Sequence, residues 1–201
     1  MKSVFDFIVE PKGKRYSNEI SVGGKDLILN SNIETFKFIN RVAIVKEIPI
    51  AYKTPIEVGD EILIHHNVFR RYYNQKGEAV DSSKLFNDNE YFCQLDQVYL
   101  YKKKGGWNTL GQRCFIMPIK NNDNWSLDAE RRNIGILKMG NKTLSSLGVN
   151  EGDLVGFKSN REFEFIVDNQ RLYCMESNDI LVKYDHEGSE EEYNPSWAKS
   201  S

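Results

Sequence analysis

Apolar positions along this chain fall into short runs and do not follow a helical rhythm. The runs cover residues 5–11, 41–46, 61–65, 91–95, 98–101, 113–118, 133–138, 153–157, 163–167 and 180–184. β-Branched and aromatic residues dominate them, and Gly, Pro or charged residues separate them, which is the sequence signal of strands. No stretch sustains a 3.6-residue apolar period, and 143–147 has room only for a short helical turn. Many short strands at regular spacing predict an all-β fold, a barrel or a sandwich.

The runs also repeat. Val58, Gly59 and Asp60 precede one strand as Glu151, Gly152 and Asp153 precede another, and Val42–Lys46 corresponds to Ile134–Lys138. Upstream, Phe7-Ile-Val-Glu-Pro11 resembles Phe115-Ile-Met-Pro118. Downstream, Tyr91-Phe-Cys93 and then 98–101 resemble Leu172-Tyr-Cys174 and then 180–184. Four elements in the same order predict a duplicated small barrel. The first copy is expected over 1–104, a linker over 105–112 and a compact second copy over 113–186. A polar, frayed tail is expected over 187–201. Only the first copy carries insertions, a long loop at about 12–40 and an enlarged hairpin at about 67–90. Long loops of this kind are commonly functional or disordered.

Composition narrows the chemistry. The chain has 201 residues, 40% hydrophobic and 28% charged, with a net charge of −2. Near-neutral charge weighs against general nucleic-acid binding, which favours a basic surplus. No run approaches the roughly 20 apolar residues of a membrane span, and residues 1–10 lack the apolar core of a secretion signal, so a cytoplasmic location is expected. Cys93, Cys114 and Cys174 are odd in number and widely spaced, which argues against a disulfide framework or a zinc site. Buried thiols in strands are expected instead.

The segment from Val149 through Gly152 and Asp153, then 163–169, then Met175-Glu-Ser-Asn-Asp-Ile-Leu181, resembles the C-terminal half of the GroES-type co-chaperonins. The first copy resembles it more loosely, through Phe7–Glu10 and Val58–Asp60. The resemblance implies two tandem GroES-like small β-barrels, the first with a long mobile loop. It implies a lid, not an enzyme, that caps a GroEL-type chaperonin ring and encloses a substrate protein. The partner would hydrolyse the ATP, and the lid would need no cofactor or metal of its own. It further implies a homo-oligomeric ring, seven-membered in the family, and the length and loop sequence fit a bacteriophage-encoded lid working in the host cytoplasm. In the family, a Gly-Gly and a hydrophobic triplet in the first loop dock on the chaperonin. Gly23, Gly24, Leu27, Ile28 and Leu29 match that pattern, although Lys25 and Asp26 intervene. The alternative for this stretch is a barrel strand turned at Gly23-Gly24.

Three other readings carry less. His65 and His66 are adjacent, so a strand would point them to opposite faces, unsuited to one metal ion. Arg70, Arg71, Tyr72 and Tyr73 with Lys102–Lys104 would suit a single-stranded nucleic acid if they converged. A phage structural or assembly protein reusing the barrels is the other alternative. No dinucleotide-binding, Walker, zinc-protease or nucleophile-elbow motif is present in the sequence.

Overall fold

A computed structural model of the chain describes residues 2–16, 19–22, 25–28, 38–123, 128–185 and 188–200; for 19–22, 25–28 and 200 only the backbone is described. The chain divides into two compact units, Met1–Asn108 and Thr109–Ser201. The first holds β1 (Phe7–Pro11), β2 (Glu19–Val22), β3 (Lys25–Ile28), β4 (Val42–Glu47), β5 (Glu61–Ile64), β6 (Tyr72–Tyr73), β7 (Ala79–Val80), β8 (Leu85–Asn87), β9 (Glu90–Cys93) and β10 (Val98–Lys103). β11 (Gly106–Thr109) follows at the junction. The second holds β12 (Arg113–Lys120), β13 (Glu130–Met139), α1 (Lys142–Ser146), β14 (Leu154–Phe157), β15 (Phe163–Val167), β16 (Gln170–Glu176) and β17 (Ile180–Lys183). The fold is all-β, as the strand signals predict.

The duplication extends to the hydrogen-bonded ladders. The first large sheet runs β11-β10-β5-β4-β1-β9-β8, and the second runs β15-β16-β12-β13-β14-β17. Read from its far end, the second order is β17-β14-β13-β12-β16-β15, strand for strand the first order without β11. Irregularities recur as well. β1 slips against β4 between Ile8 and Val9, as β12 slips against β13 between Phe115 and Ile116. The pairing of β5 with β10 and that of β14 with β17 each skip one residue, Tyr99 and Leu181. Bulges sit where a strand must bend, so two shared bulges mark one shared bend pattern.

These registers shift the sequence correspondence by one residue at two strands. Phe7 pairs with Cys93 and Cys114 with Met175, so Cys93 is the counterpart of Met175 and Tyr91 of Tyr173. Matching the identical cysteines put the repeat one residue out, and a one-residue slip exchanges the two faces of a strand.

The Gly-Asp turn is the same to the atom. Gly59 and Gly152 have φ of 91° and 92°, the left-handed region where a side chain is strained. Asp60 Oδ2 accepts from Glu57 N at 2.8 Å, and Asp153 Oδ2 accepts from Asn150 N at 2.7 Å. Lys103 reaches Asp60, and Lys183 reaches Asp153, both at 2.7 Å.

Each unit buries its own core. Phe7, Ala43, Val45, Ile62, Ile64, Phe69, Cys93 and Leu100 are fully enclosed in the first. Cys114, Ile116, Leu137, Leu144, Val155, Phe157 and Met175 pack together in the second. Each large aliphatic or aromatic side chain so enclosed contributes about 1.5–3 kcal/mol. The three cysteines are buried thiols, and burial pushes the Cys114 thiol up to about 12. The outermost strands of the large sheets are β11 and β8, and β15 and β17, and the pairings between described residues leave both sheets open.

The C-terminal segment departs from expectation. It is polar, but over 188–199 it is not frayed. Tyr193 N donates to Pro118 O and Lys120 N to Glu191 O, each at 2.8 Å, and Ala198 is fully buried. Asn194 accepts from Arg171 N at 3.1 Å and donates to Asn169 O at 2.9 Å. Arg171 itself binds Glu130 at 2.5 Å and Glu164 at 2.6 Å, one largely enclosed guanidinium set between two carboxylates. Among the described residues, no helix is long and apolar enough to cross a membrane.

Candidate functional site

The two insertions of the first unit are its most distinctive feature. The first leaves β1 at Pro11 and returns at Val42. Its base is a stem: Lys12 N donates to Val42 O at 2.9 Å, Asn40 N donates to Arg15 O at 3.0 Å, and Tyr16 bridges Ile39 antiparallel. The Asn40 amide clasps both sides, donating to Lys12 O at 2.7 Å and Lys14 O at 3.0 Å while accepting from Val42 N at 2.9 Å. An Asn suits this position because one planar side chain supplies both donors and an acceptor.

Beyond the stem lies a β-hairpin. β2 and β3 pair with Glu19 opposite Ile28, Ile20 opposite Leu27, Ser21 opposite Asp26 and Val22 opposite Lys25. Among the described residues they form a two-stranded sheet of their own, joined to neither large sheet. Of the five docking candidates, Leu27 and Ile28 therefore occupy successive positions of β3. Gly23, Gly24 and Leu29 lie outside the described residues. The stretch is strand over Lys25–Ile28, but among the described residues it pairs within a separate two-stranded hairpin and not in the main sheet, so neither of the two sequence readings anticipates it fully.

The second insertion begins with a turn of 3-10 helix at His66–Val68 and continues into the β6–β7 hairpin. Asn74 shapes its turn, accepting from Lys76 N at 2.9 Å and Glu78 N at 3.0 Å. This insertion meets the stem of the first. Arg15, with a side chain 15% exposed, donates from Nε to Phe69 O at 2.5 Å and from Nη1 to Asp81. Its guanidinium carbon lies 5.0 Å from the centroid of the buried Tyr91 ring, which packs edge-on against Phe69 at 4.9 Å. Arg71 N donates to the Tyr16 hydroxyl at 2.7 Å. Asp81 also accepts from Ser82 N at 3.0 Å, and Ser82, nearly enclosed, donates to Asn67 O at 3.3 Å.

The residues set aside from sequence are placed as follows. His65 and His66 stack at 4.2 Å between ring centroids, and His65 Nδ1 accepts from Asn67 N at 3.1 Å. Burial first, then the positive charges of His65, Arg41 and Arg70, lower the His66 pKa to about 4. Among the described residues no group of three or more His, Cys, Asp or Glu side chains is arranged to hold a metal ion. Tyr72 and Tyr73 are exposed, but the Nε atoms of Arg70 and Arg71 are withdrawn from solvent. Lys102 lies 5.3 Å from the centroid of the Trp107 ring and 3.7 Å from Glu61, and Lys103 sits 2.7 Å from both Glu57 and Asp60. The basic stripe is thus partly spent on neighbouring carboxylates.

Sequence reasoning missed Arg15, Tyr16, Asn40 and Asp81. None sits in a recognisable motif, and the Arg15–Asp81 contact spans 66 residues. The one available signal was position, since all four flank or belong to the two insertions that the second copy lacks. The class that fold and site define is a duplicated all-β protein whose first unit carries a hairpin, β2–β3, paired apart from the large sheets among the described residues. No protein-family model matches the chain, and no curated protein matches it.

Proposed function

We propose that the chain is a co-chaperonin-type lid, two GroES-like barrels in tandem, that docks on a GroEL-type chaperonin through the β2–β3 arm. The observation that carries this reading is an asymmetry. Two copies of one sheet differ chiefly by insertions, and the first of these bears a hairpin that, among the described residues, pairs with itself and not with the large sheets. A hairpin outside the main sheet leaves its strand edges for a partner to pair with. The run Met175–Leu181 supports the family likeness, with β16 passing through a 3-10 turn at Ser177–Asp179 into β17.

Each chain carries one arm, so a single contact is weak. A homo-oligomeric ring, seven-membered by the resemblance, raises avidity by about 10²–10⁴ through effective concentration. The lid encloses a substrate protein while the partner hydrolyses ATP, and the chain needs no catalytic residue, metal or cofactor of its own. A bacteriophage-encoded lid in the host cytoplasm fits the departures from the family pattern in the arm.

The test is co-sedimentation of the purified chain with a bacterial chaperonin, with and without adenine nucleotide. A variant with Leu27, Ile28 and Leu29 changed to Ser serves as comparison. Burial of these side chains contributes about 1.5–3 kcal/mol each. The variant is therefore expected to lose at least about 100-fold in affinity while keeping its circular dichroism spectrum. Equal sedimentation of both proteins, or of neither under any nucleotide condition, overturns the proposal.

A further inference from the structure

The contact between the two insertions assigns the second a role. We infer that the 67–90 insertion is the seat of the arm: Arg15, held by Asp81 and Phe69 O, is a positioning residue that fixes the direction in which the arm leaves the first unit. The geometry leaves the stem little freedom. One guanidinium is tied to a backbone carbonyl and a carboxylate of the second insertion while resting on the buried Tyr91 ring. One residue on, the Tyr16 hydroxyl accepts from Arg71 N. Asp81 is in turn oriented by Ser82 N. The brace thus runs from the stem through two consecutive residues into a loop more than fifty residues away. The second unit lacks both insertions, and among its described residues no separate two-stranded hairpin occurs.

The division of labour follows from preorganisation. A docking arm held in one direction pays little ordering entropy on binding, whereas a swinging arm must find the competent direction first. If the competent fraction drops to about a tenth, apparent affinity drops about tenfold with every contact surface unchanged. Only this consequence rests on the lid reading; the seat itself does not.

The experiment places spin labels at Lys25→Cys on the arm and Lys46→Cys on β4 and measures the distance distribution by pulsed electron resonance. The full chain is compared with Asp81→Asn, Arg15→Met and Arg15→Lys variants. Unbraced, the distribution broadens in Asp81→Asn and Arg15→Met, while Arg15→Lys, which keeps the charge opposite Asp81, recovers part of the narrowing. Hydrogen exchange of β1, β4 and β9 stays unchanged in Asp81→Asn, which separates an aimed arm from a general loss of fold. A broad distribution in the parent chain, or equal widths in all four proteins, overturns the seat. Chaperonin binding is read on the same samples. Narrow-to-broad conversion with no binding by the parent sinks the lid and leaves the seat standing. Binding that survives alongside unbroadened distributions does the reverse.

Discussion

The two units share a strand order, two bulges and a turn, yet they finish the same plan differently. In the second, the connection between β13 and β14 contains α1, capped by Asn141, whose side chain accepts from Leu144 N at 3.1 Å and donates to Arg113 O at 2.9 Å. In the first, the matching connection is irregular and leaves Ile50 exposed. Conversely, β10 gains β11 along its outer edge, while β17 is an outermost strand with Leu181 and Val182 in solvent. The compact copy adds a short helix in a connection that still leaves Leu147 exposed. The elaborated copy adds a stem, an arm and a brace. The difference teaches that the sheet is a mount and that whatever distinguishes the units functionally is carried by what is inserted between its strands.

The comparison is sharpest where one ladder position holds different residues. Gly135 pairs with Pro118 as Ala43 pairs with Pro11. A Cβ on Gly135 would lie 2.5 Å from both Ile116 Cγ2 and the Met117 carbonyl oxygen, and that oxygen is backbone. In the first unit the same place accommodates the fully buried Ala43. Gly135→Ala is expected to destabilise the second unit by about 2–3 kcal/mol through overpacking, and Ala43→Gly to cost the first about 1 kcal/mol. Hydrogen exchange resolves the two units in the intact chain. Equal small losses would mean that the sheets pack alike and that the asymmetry lies in the loops alone.

What could be read from the sequence followed from how local the determinants are. The turn at Gly59 and Gly152 needs left-handed backbone, so glycine marks it in both copies, and alternating apolar residues announce the strands beside it. The arm was legible as an insertion and, in the alternative reading, as a strand turned at Gly23-Gly24; its pairing apart from the main sheet was not, because two-stranded pairing leaves a weak trace. The seat was illegible. Arg15 and Asp81 look like ordinary surface charges until the fold brings them together. The order of 188–199 was hidden for the same reason, since its acidic residues read as solvated but Glu191 and Glu192 meet Lys120 and Lys138.

A smaller effect tests the shared turn. Asp60→Ala and Asp153→Ala each remove one side-chain acceptor from a turn amide, a loss of about 1 kcal/mol. A lysine lies 2.7 Å from each carboxylate, Lys103 from Asp60 and Lys183 from Asp153, and such exposed pairs contribute little. The two variants should therefore match to within the ~0.5 kcal/mol scatter of surface changes, again by hydrogen exchange. A marked difference would show that the turn carries different loads in the two units.

The smallest expected effect separates the units by acid. His66 has a folded pKa of about 4 against an ordinary 6.5, because burial and the neighbouring His65, Arg41 and Arg70 oppose its charge. As pH falls below 6.5 the unfolded chain takes up this proton while the folded chain resists until about 4, so stability is lost across that window as pH drops. The ring is only half-buried, and after allowance for solvent screening the loss is about 1 kcal/mol. Glu61 acts lower: the hydrogen bond from Lys12 holds its carboxyl below the usual range, so its contribution fades only as pH falls below about 4.5. Among the described residues of the second unit, the groups moved from their ordinary values are Arg171, Tyr173, Cys114 and Cys174, all moved upward in the alkaline range. Hydrogen exchange at pH 7 and pH 5, corrected for intrinsic rates, should therefore show the first unit weakening more than the second. His66→Ser, which installs the residue that Ser159 supplies at the matching place in the second copy, should remove most of that difference. A first unit as acid-resistant as the second before the substitution would mean that His66 is solvated and that the two units bear their insertions without an electrostatic cost.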